Sequence, residues 1–186
     1  LDVFKEYGLP ITTFTCAAAA EKTPHIIERV LEDGHEVASH SLRWITYQYM
    51  YRETEREHVR KATEIFDRMI GGQPLGWYTG RDSPNTRELV AEQGGYLYDS
   101  DSYGDELPYW LNVKTQDGNL ISLKPHLVSP FTRETNEMRV SWRPCFNNAE
   151  PFYQYLKDSF DTLYEEGAKE GKTLPKMLTI GLHCRI

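Results

Sequence analysis

Residues 34–48 read GHEVASHSLRWITYQ. Six residues of β character, HEVASH (35–40), follow a helix-ending glycine, and a loop rich in arginine and aromatic side chains comes next. His40 stands at the exit of that strand. Trp44 follows four residues later, at a spacing where a metal site calls for a second histidine. Upstream, TPHIIERVLEDG (23–34) is a helix with Thr23 as N-cap, Pro24 at its first position and Gly34 at its stop. A capped helix feeding a short buried strand is one step of a repeating β/α pattern.

The pattern continues in both directions. ITTFTC (11–16) is a strand, and LDVFKEYG (1–8) reads as the last turns of a helix. YRETEREHVRKATEIFDRMIGG (51–72) is a charged amphipathic helix closed by a glycine pair. PLGWYTG (74–80) is a strand, SPNTRELVAEQGG (83–95) a helix capped by Ser83 before Pro84, and YLYDSD (96–101) a strand. Residues 102–130 are rich in loops, with two or three short strands and a turn at Asp117-Gly118. AEPFYQYLKDSFDTLYEEG (149–167) is a long amphipathic helix whose Phe152, Tyr155, Leu156, Phe160, Leu163 and Tyr164 follow helical spacing. MLTIGLHC (177–184) reads as a last buried strand. Strand–helix alternation predicts an α/β fold with parallel strands and outer helices. About five core strands fall short of a closed (β/α)₈ barrel, which takes roughly 250 residues. We therefore expect residues 1–186 to be a single barrel-type domain, incomplete at both ends.

The 186 residues suffice for a real core. A net charge of −7 with no basic run argues against nucleic acid and against an anionic membrane surface as partners. Neither a signal peptide nor a run of 18 apolar residues is present, so a cytoplasmic protein is expected. Cys16, Cys145 and Cys184 are odd in number and widely spaced, which reads as free thiols. With 12 Tyr and 4 Trp, aromatic rings with polar tips are available to line a pocket as well as a core.

In a parallel barrel, functional side chains collect where strands end. That rule selects His40, Arg43 and Trp44 after the strand 35–40, and Tyr78 and Arg81 after 74–80. It also selects Asp99 and Asp101, then Asp105, Tyr109 and Trp110, after 96–101, and His183 at the last strand. Two histidines, carboxylates and an arginine on one rim make a plausible acid–base set for hydrolysis. Bland readings compete with it. His35 reads as a turn residue, His25 and His58 as solvated helix positions, and RETEREHVRK as a solvated helix face. Asp99 and Asp101 alternate along a strand, so only one of them can point into such a site. The residues alone make no metal site, since no other His or Cys lies near His40. No phosphate-binding glycine loop and no nucleophile elbow is present.

GHEVASHS preceded by its helix, YLYDSD, and MLTIGLHC resemble three motif regions of the polysaccharide deacetylase (NodB-homology) superfamily. SHSLRWITYQ, LGWYTGRDSPNTRELV, YDSDSYGDELPYW and PKMLTIGLHCR are most similar to its metal-independent allantoinase and chitin-deacetylase-like branch. The resemblance implies a distorted (β/α) barrel. It implies that His40 matches the first metal-type histidine, Asp99 the fourth-motif aspartate and His183 the acid histidine. The second metal-type histidine falls on Trp44. The third-motif arginine falls on Tyr78, with Arg81 three residues on as a substitute. First-motif carboxylates would lie upstream of Leu1, which implies that the 186-residue chain alone is inactive.

On this footing the expected activity is hydrolysis of a cyclic ureide, allantoin to allantoate. His40, His183, Asp99 and Arg81 are the expected catalytic residues. Trp44, Tyr78, Trp110, Arg43 and Asp101 are expected to bind substrate, with no cofactor. The alternative is a metal-dependent N-deacetylase of an amino-sugar polysaccharide, in which His40 holds zinc or another divalent ion. Self-association into a homo-oligomer is compatible with either.

Overall fold

Six strands form one sheet in the order β1-β2-β3-β4-β6-β5. They are β1 (Thr12–Thr15), β2 (Glu36–Ser39), β3 (Gly76–Trp77), β4 (Tyr98–Asp99), β5 (Tyr109–Leu111) and β6 (His126–Val128). The computed structural model describes residues 1–104, 107–115, 117–121, 126–130, 148–169 and 174–182. All neighbours are parallel except β5, which runs antiparallel to β6. Helix α1 (Asp2–Glu6) precedes the strands, α2 (Ala17–Ala20), α3 (Pro24–Glu32), α4 (Arg52–Ile70) and α5 (Thr86–Gln93) lie between them in sequence, and α6 (Ala149–Gly167) follows them. The chain packs as two compact units, Leu1–Asp101 with Tyr109–Ser129, and Ser102–Pro108 with Pro130–Ile186. Among the described residues no helix is long and apolar enough to cross a membrane.

Strand alternation sorts the sheet into two faces. The register pairs Thr13 with Val37, Ser39 with Trp77, and Trp77 with Asp99. That face carries the core, where Val37 and Trp77 join Ile27 and Val30 of α3, Val59, Ala62 and Phe66 of α4, and Leu89 and Val90 of α5. The opposite face carries Phe14, Ala38, Gly76 and Tyr98. Tyr98 lies across Gly76, where a Cβ would meet its Cζ at 2.2 Å, and donates to Glu36 Oε1 at 3.0 Å. Glycine at 76 is thus what lets this ring cross over β3 to the carboxylate on β2.

Several local expectations are corrected. Thr23 takes the N-cap position of α3, but its hydroxyl donates back to Ala19 O at 2.9 Å. Ser83 does not cap α5, which starts at Thr86 with Asn85 at its N-cap. The Ser83 hydroxyl accepts the Asn85 N–H at 2.9 Å ahead of the helix and donates its own proton to the buried Glu55 carboxylate, to Oε2 at 2.5 Å. Glu55 also receives the Thr86 hydroxyl, so the "solvated" face of α4 contains a buried acid that grips the start of α5. His58 is not solvated either; its Nδ1 lies 3.1 Å from the buried Tyr47 hydroxyl.

Within the loop-rich stretch 102–130, His126 belongs to β6. On α6, Phe160 and Tyr164 are exposed and stack on each other. At 3.6 residues per turn they sit to the side of the stripe formed by Phe152, Tyr155, Leu156 and Leu163. Of the expected strand 177–184, residues 177–182 show only a single bridge residue at Gly181, with Ile180 and Leu182 exposed, and residues 183 and 184 lie outside the described residues. Cys145 and Cys184 lie outside the described residues, and Cys16 is a free thiol whose burial pushes its pKa up to about 11.

Candidate functional site

The ladder extends one residue beyond the strands at their C-terminal ends. His40 N–H donates to Thr15 O at 2.8 Å, Tyr78 N–H to Ser39 O at 2.9 Å, and Ser100 N–H to Trp77 O at 2.8 Å. This brings the exits of β2, β3 and β4 side by side. Alternation aims His40 and Tyr78 to the face away from the helices, where the Tyr78 ring also packs on Phe14 at 5.0 Å.

His40 is fixed by Tyr78 twice over. Its Nδ1 lies 2.6 Å from the Tyr78 carbonyl oxygen, and the two rings stack at 5.2 Å with 10° between their planes. A carbonyl only accepts, so the proton is on Nδ1, and in the neutral ring Nε2 carries the lone pair. Beyond His40, Ser41 has φ 62°, the one non-glycine residue with positive φ among the described residues. That conformation costs about 1–2 kcal/mol. The buried Ser41 hydroxyl donates to Tyr47 Oη at 2.7 Å, which offsets the strain and sets the following loop.

This loop carries Trp44 to Arg81. The Arg81 guanidinium lies 4.1 Å from the centroid of the Trp44 ring. Tyr47 N–H donates to Arg81 O at 2.9 Å, so backbone and side chain both tie the loop after β2 to the loop after β3. Arg43, its neighbour, is exposed.

Asp99 turns the other way. By register it shares the helix-packed face with Ser39 and Trp77, and it is 1% exposed. Arg87 Nε of α5 donates to its Oδ2 at 3.1 Å, and His126 Nε2 donates to the same oxygen at 2.7 Å. Burial alone would raise the Asp99 pKa, but the His126 hydrogen bond and the Arg87 charge outweigh it and hold it below the ordinary value. Asp101, also buried, accepts Thr79 N–H on Oδ2 and Gly80 N–H on Oδ1, both at 2.7 Å. Burial pushes its pKa up to about 7, helped by Asp82 and Asp99 and opposed by the two N–H groups. A carboxylate engaged in this way faces the backbone of the loop after β3 rather than a ligand.

The structure therefore brings His40 to Tyr78, Trp44 to Arg81, and Asp101 to the Tyr78–Gly80 segment. It separates Asp99 from His40 by the thickness of the sheet. Trp110, 64% exposed on β5, shares the His40 face by register, since it pairs with Leu127 and Leu127 with Tyr98. His183 and Asp105 lie outside the described residues. Arg87 escaped the sequence reading, and His126 reads from sequence as a loop residue that could go either way. Arg87 sits in the first turn of an ordinary helix, and only the parity of His126 with Val128 on a strand beside Asp99 could have exposed the second. The arginine at Asp99 is Arg87, not Arg81. Among the described residues no three His, Cys, Asp or Glu side chains converge as metal ligands.

A family description of polysaccharide deacetylases matches residues 1–98. The chain is 41% identical over its whole length to a Schizosaccharomyces pombe protein that carries the polysaccharide deacetylase name, and it covers 60% of that protein. A Pseudomonas aeruginosa PAO1 crystal structure carrying the same name matches 100% of this chain and 58% of its own, at 52% identity and TM-score 0.89. The crystal structure of an allantoinase matches 100% and 58%, at 50% identity and TM-score 0.88. The chain thus spans less than two thirds of the length of each of these relatives.

Proposed function

The chain belongs to the polysaccharide deacetylase family, and from that premise we propose that the protein is a hydrolase of non-peptide carbon–nitrogen bonds that opens a cyclic ureide, allantoin to allantoate. The pairing of Trp44 with Arg81 carries this reading. An indole with a guanidinium over it stands where the family resemblance expects a second metal histidine. Such a surface offers a flat wall and planar N–H donors, which suit a small ring bearing carbonyl and ureido oxygens. The likeness to an allantoinase at 50% identity supports the same choice.

Each group has a task in that reaction. His40 Nε2 takes a proton from the water that attacks the ring carbonyl. Arg81 donates to the oxygen as it gains charge. His183, by resemblance, protonates the departing nitrogen. Trp44 walls the ring, with Trp110 and Arg43 at its edge, and Tyr78 backs His40. Asp99 works from the helix side, holding Arg87 and His126. The described residues do not by themselves fit a divalent cation, and no step runs through one.

A second reading, metal-dependent N-deacetylation of an amino-sugar polysaccharide, is favoured by the names of two relatives at 41% and 52% identity. There His40 Nε2 would be a metal ligand. The test offers allantoin and an N-acetylated chitooligosaccharide to the protein at its natural length. Allantoate without acetate supports the ureide reading. Acetate released only with an added divalent metal, without allantoate, overturns it in favour of the second.

A further inference from the structure

One peptide group joins two buried features of the rim. The carbonyl that accepts from His40 and the Thr79 N–H that donates to Asp101 belong to the same amide, between Tyr78 and Thr79. A trans peptide is planar and its N–H and C=O point in opposite directions. A carboxylate fixed on one side therefore aims the oxygen on the other. Asp101 is itself held. Its N–H donates to Asp99 Oδ1 at 3.1 Å, and Arg87 donates to its carbonyl at 2.6 Å. Its second oxygen takes Gly80 N–H, which pins the next peptide at a residue with φ 69°. A carboxylate on the N–H also polarises the amide and makes its oxygen a better acceptor.

We infer that Asp101 is a positioning residue for His40, acting through the Tyr78–Thr79 peptide to keep the imidazole proton on Nδ1 and the lone pair on Nε2. Its effect on turnover rests on the ureide-hydrolase reading; the hydrogen-bond relay does not. Asp101 touches no reacting atom.

The relay is read directly from ¹⁵N-histidine-labelled protein at its natural length, with the His40 signals assigned by their loss in His40→Gln. The neutral His40 ring of the wild type is expected as the Nδ1–H tautomer. Asp101→Asn, which sets an amide N–H group or a weaker acceptor against the two backbone N–H groups, is expected to lower the Nδ1–H fraction. It should also lower kcat on allantoin by about 10- to 100-fold with little change in KM. In the His40→Gln background the same substitution should have no further effect on turnover, because the relay has lost its end point. Asp101→Glu, which keeps both acceptor oxygens, should retain the tautomer.

A wild-type Nε2–H tautomer, or an Asp101→Asn protein with an unchanged one, overturns the relay. The wild-type spectrum decides this even where a variant does not fold. The expected tautomers without allantoin turnover would sink the ureide reading and leave the relay standing.

Discussion

His40 and Tyr78 meet through the backbone of one and the side chains of both, with a 2.6 Å hydrogen bond and a stack 10° from coplanar. The hydrogen bond uses a main-chain oxygen, so it survives side-chain substitution at 78. Replacing His40 by Gln is expected to reduce kcat by about 10²- to 10⁴-fold, the range of a lost general base. Tyr78→Ala keeps the carbonyl and loses the stack, so its kcat should fall between those of the wild type and His40→Gln. Equal losses in both variants would show that the ring, not the carbonyl, orients His40.

Arg81 and Trp44 act as one surface in this account. Lys at 81 keeps the charge but not the planar fork or the stacking face. Arg81→Lys should lower kcat/KM on allantoin by about 10-fold, whereas Trp44→Phe, which keeps an aromatic wall, should change it by about 3-fold or less. Steady-state kinetics on the two purified variants decides this. The reverse order would remove Arg81 from the substrate's side.

Asp99 and Asp101 stand two residues apart and shift in opposite directions. An unfolded Asp titrates near 3.9. Asp101, raised to about 7, holds a proton on folding that the unfolded chain has lost. Its contribution to stability is full below about pH 4 and disappears as pH rises to about 7, with a slope of at most about 1.4 kcal/mol per pH unit. Asp99, held low, contributes above about pH 4 and loses that contribution as pH falls through its folded value. Urea midpoints across pH should show Asp101→Asn flattening the first window and Asp99→Asn the second. A difference between wild type and Asp101→Asn that stays constant from pH 4 to 7 would contradict the assignment.

Glu55 binds the Ser83 and Thr86 hydroxyls from inside α4. Removing its carboxylate leaves both without their acceptor, at about 1–3 kcal/mol for each group not satisfied otherwise. Glu55→Ala should lower stability to urea by that order, and Glu55→Gln, which keeps an oxygen acceptor, by less. Equal losses would mean that packing, not hydrogen bonding, is what Glu55 supplies.

Much of this fold was legible in the sequence because its signals are local. Proline at the start of α3, glycine at its end and the short strands between helices give the parallel β/α order directly. Rim position after each strand likewise picked out His40, Tyr78, Arg81 and Asp101. What the sequence did not disclose were the relationships that depend on register. Asp99 looked like part of the rim's acid–base set, yet alternation turns it toward the helices, where Arg87 and His126 hold it. Asp101 looked like a ligand group, yet burial and two amide N–H groups turn it into a support for its neighbour strand. Ser83 and Thr23 sat at cap positions by spacing, but a buried acid and a carbonyl of the preceding turn compete for their hydroxyls. Local chemistry names the residue; long-range packing decides its partner.

The central claim is that this rim hydrolyses a cyclic ureide with His40 Nε2 as base and Arg81 as oxyanion donor. The most direct measurement follows allantoate formation from allantoin by the protein at its natural length, with and without a strong chelator, alongside His40→Gln. Turnover that survives chelation and disappears in His40→Gln is the predicted result. No allantoate from the wild type, together with acetate release from a chitooligosaccharide that the chelator abolishes, would contradict it and make His40 a metal ligand.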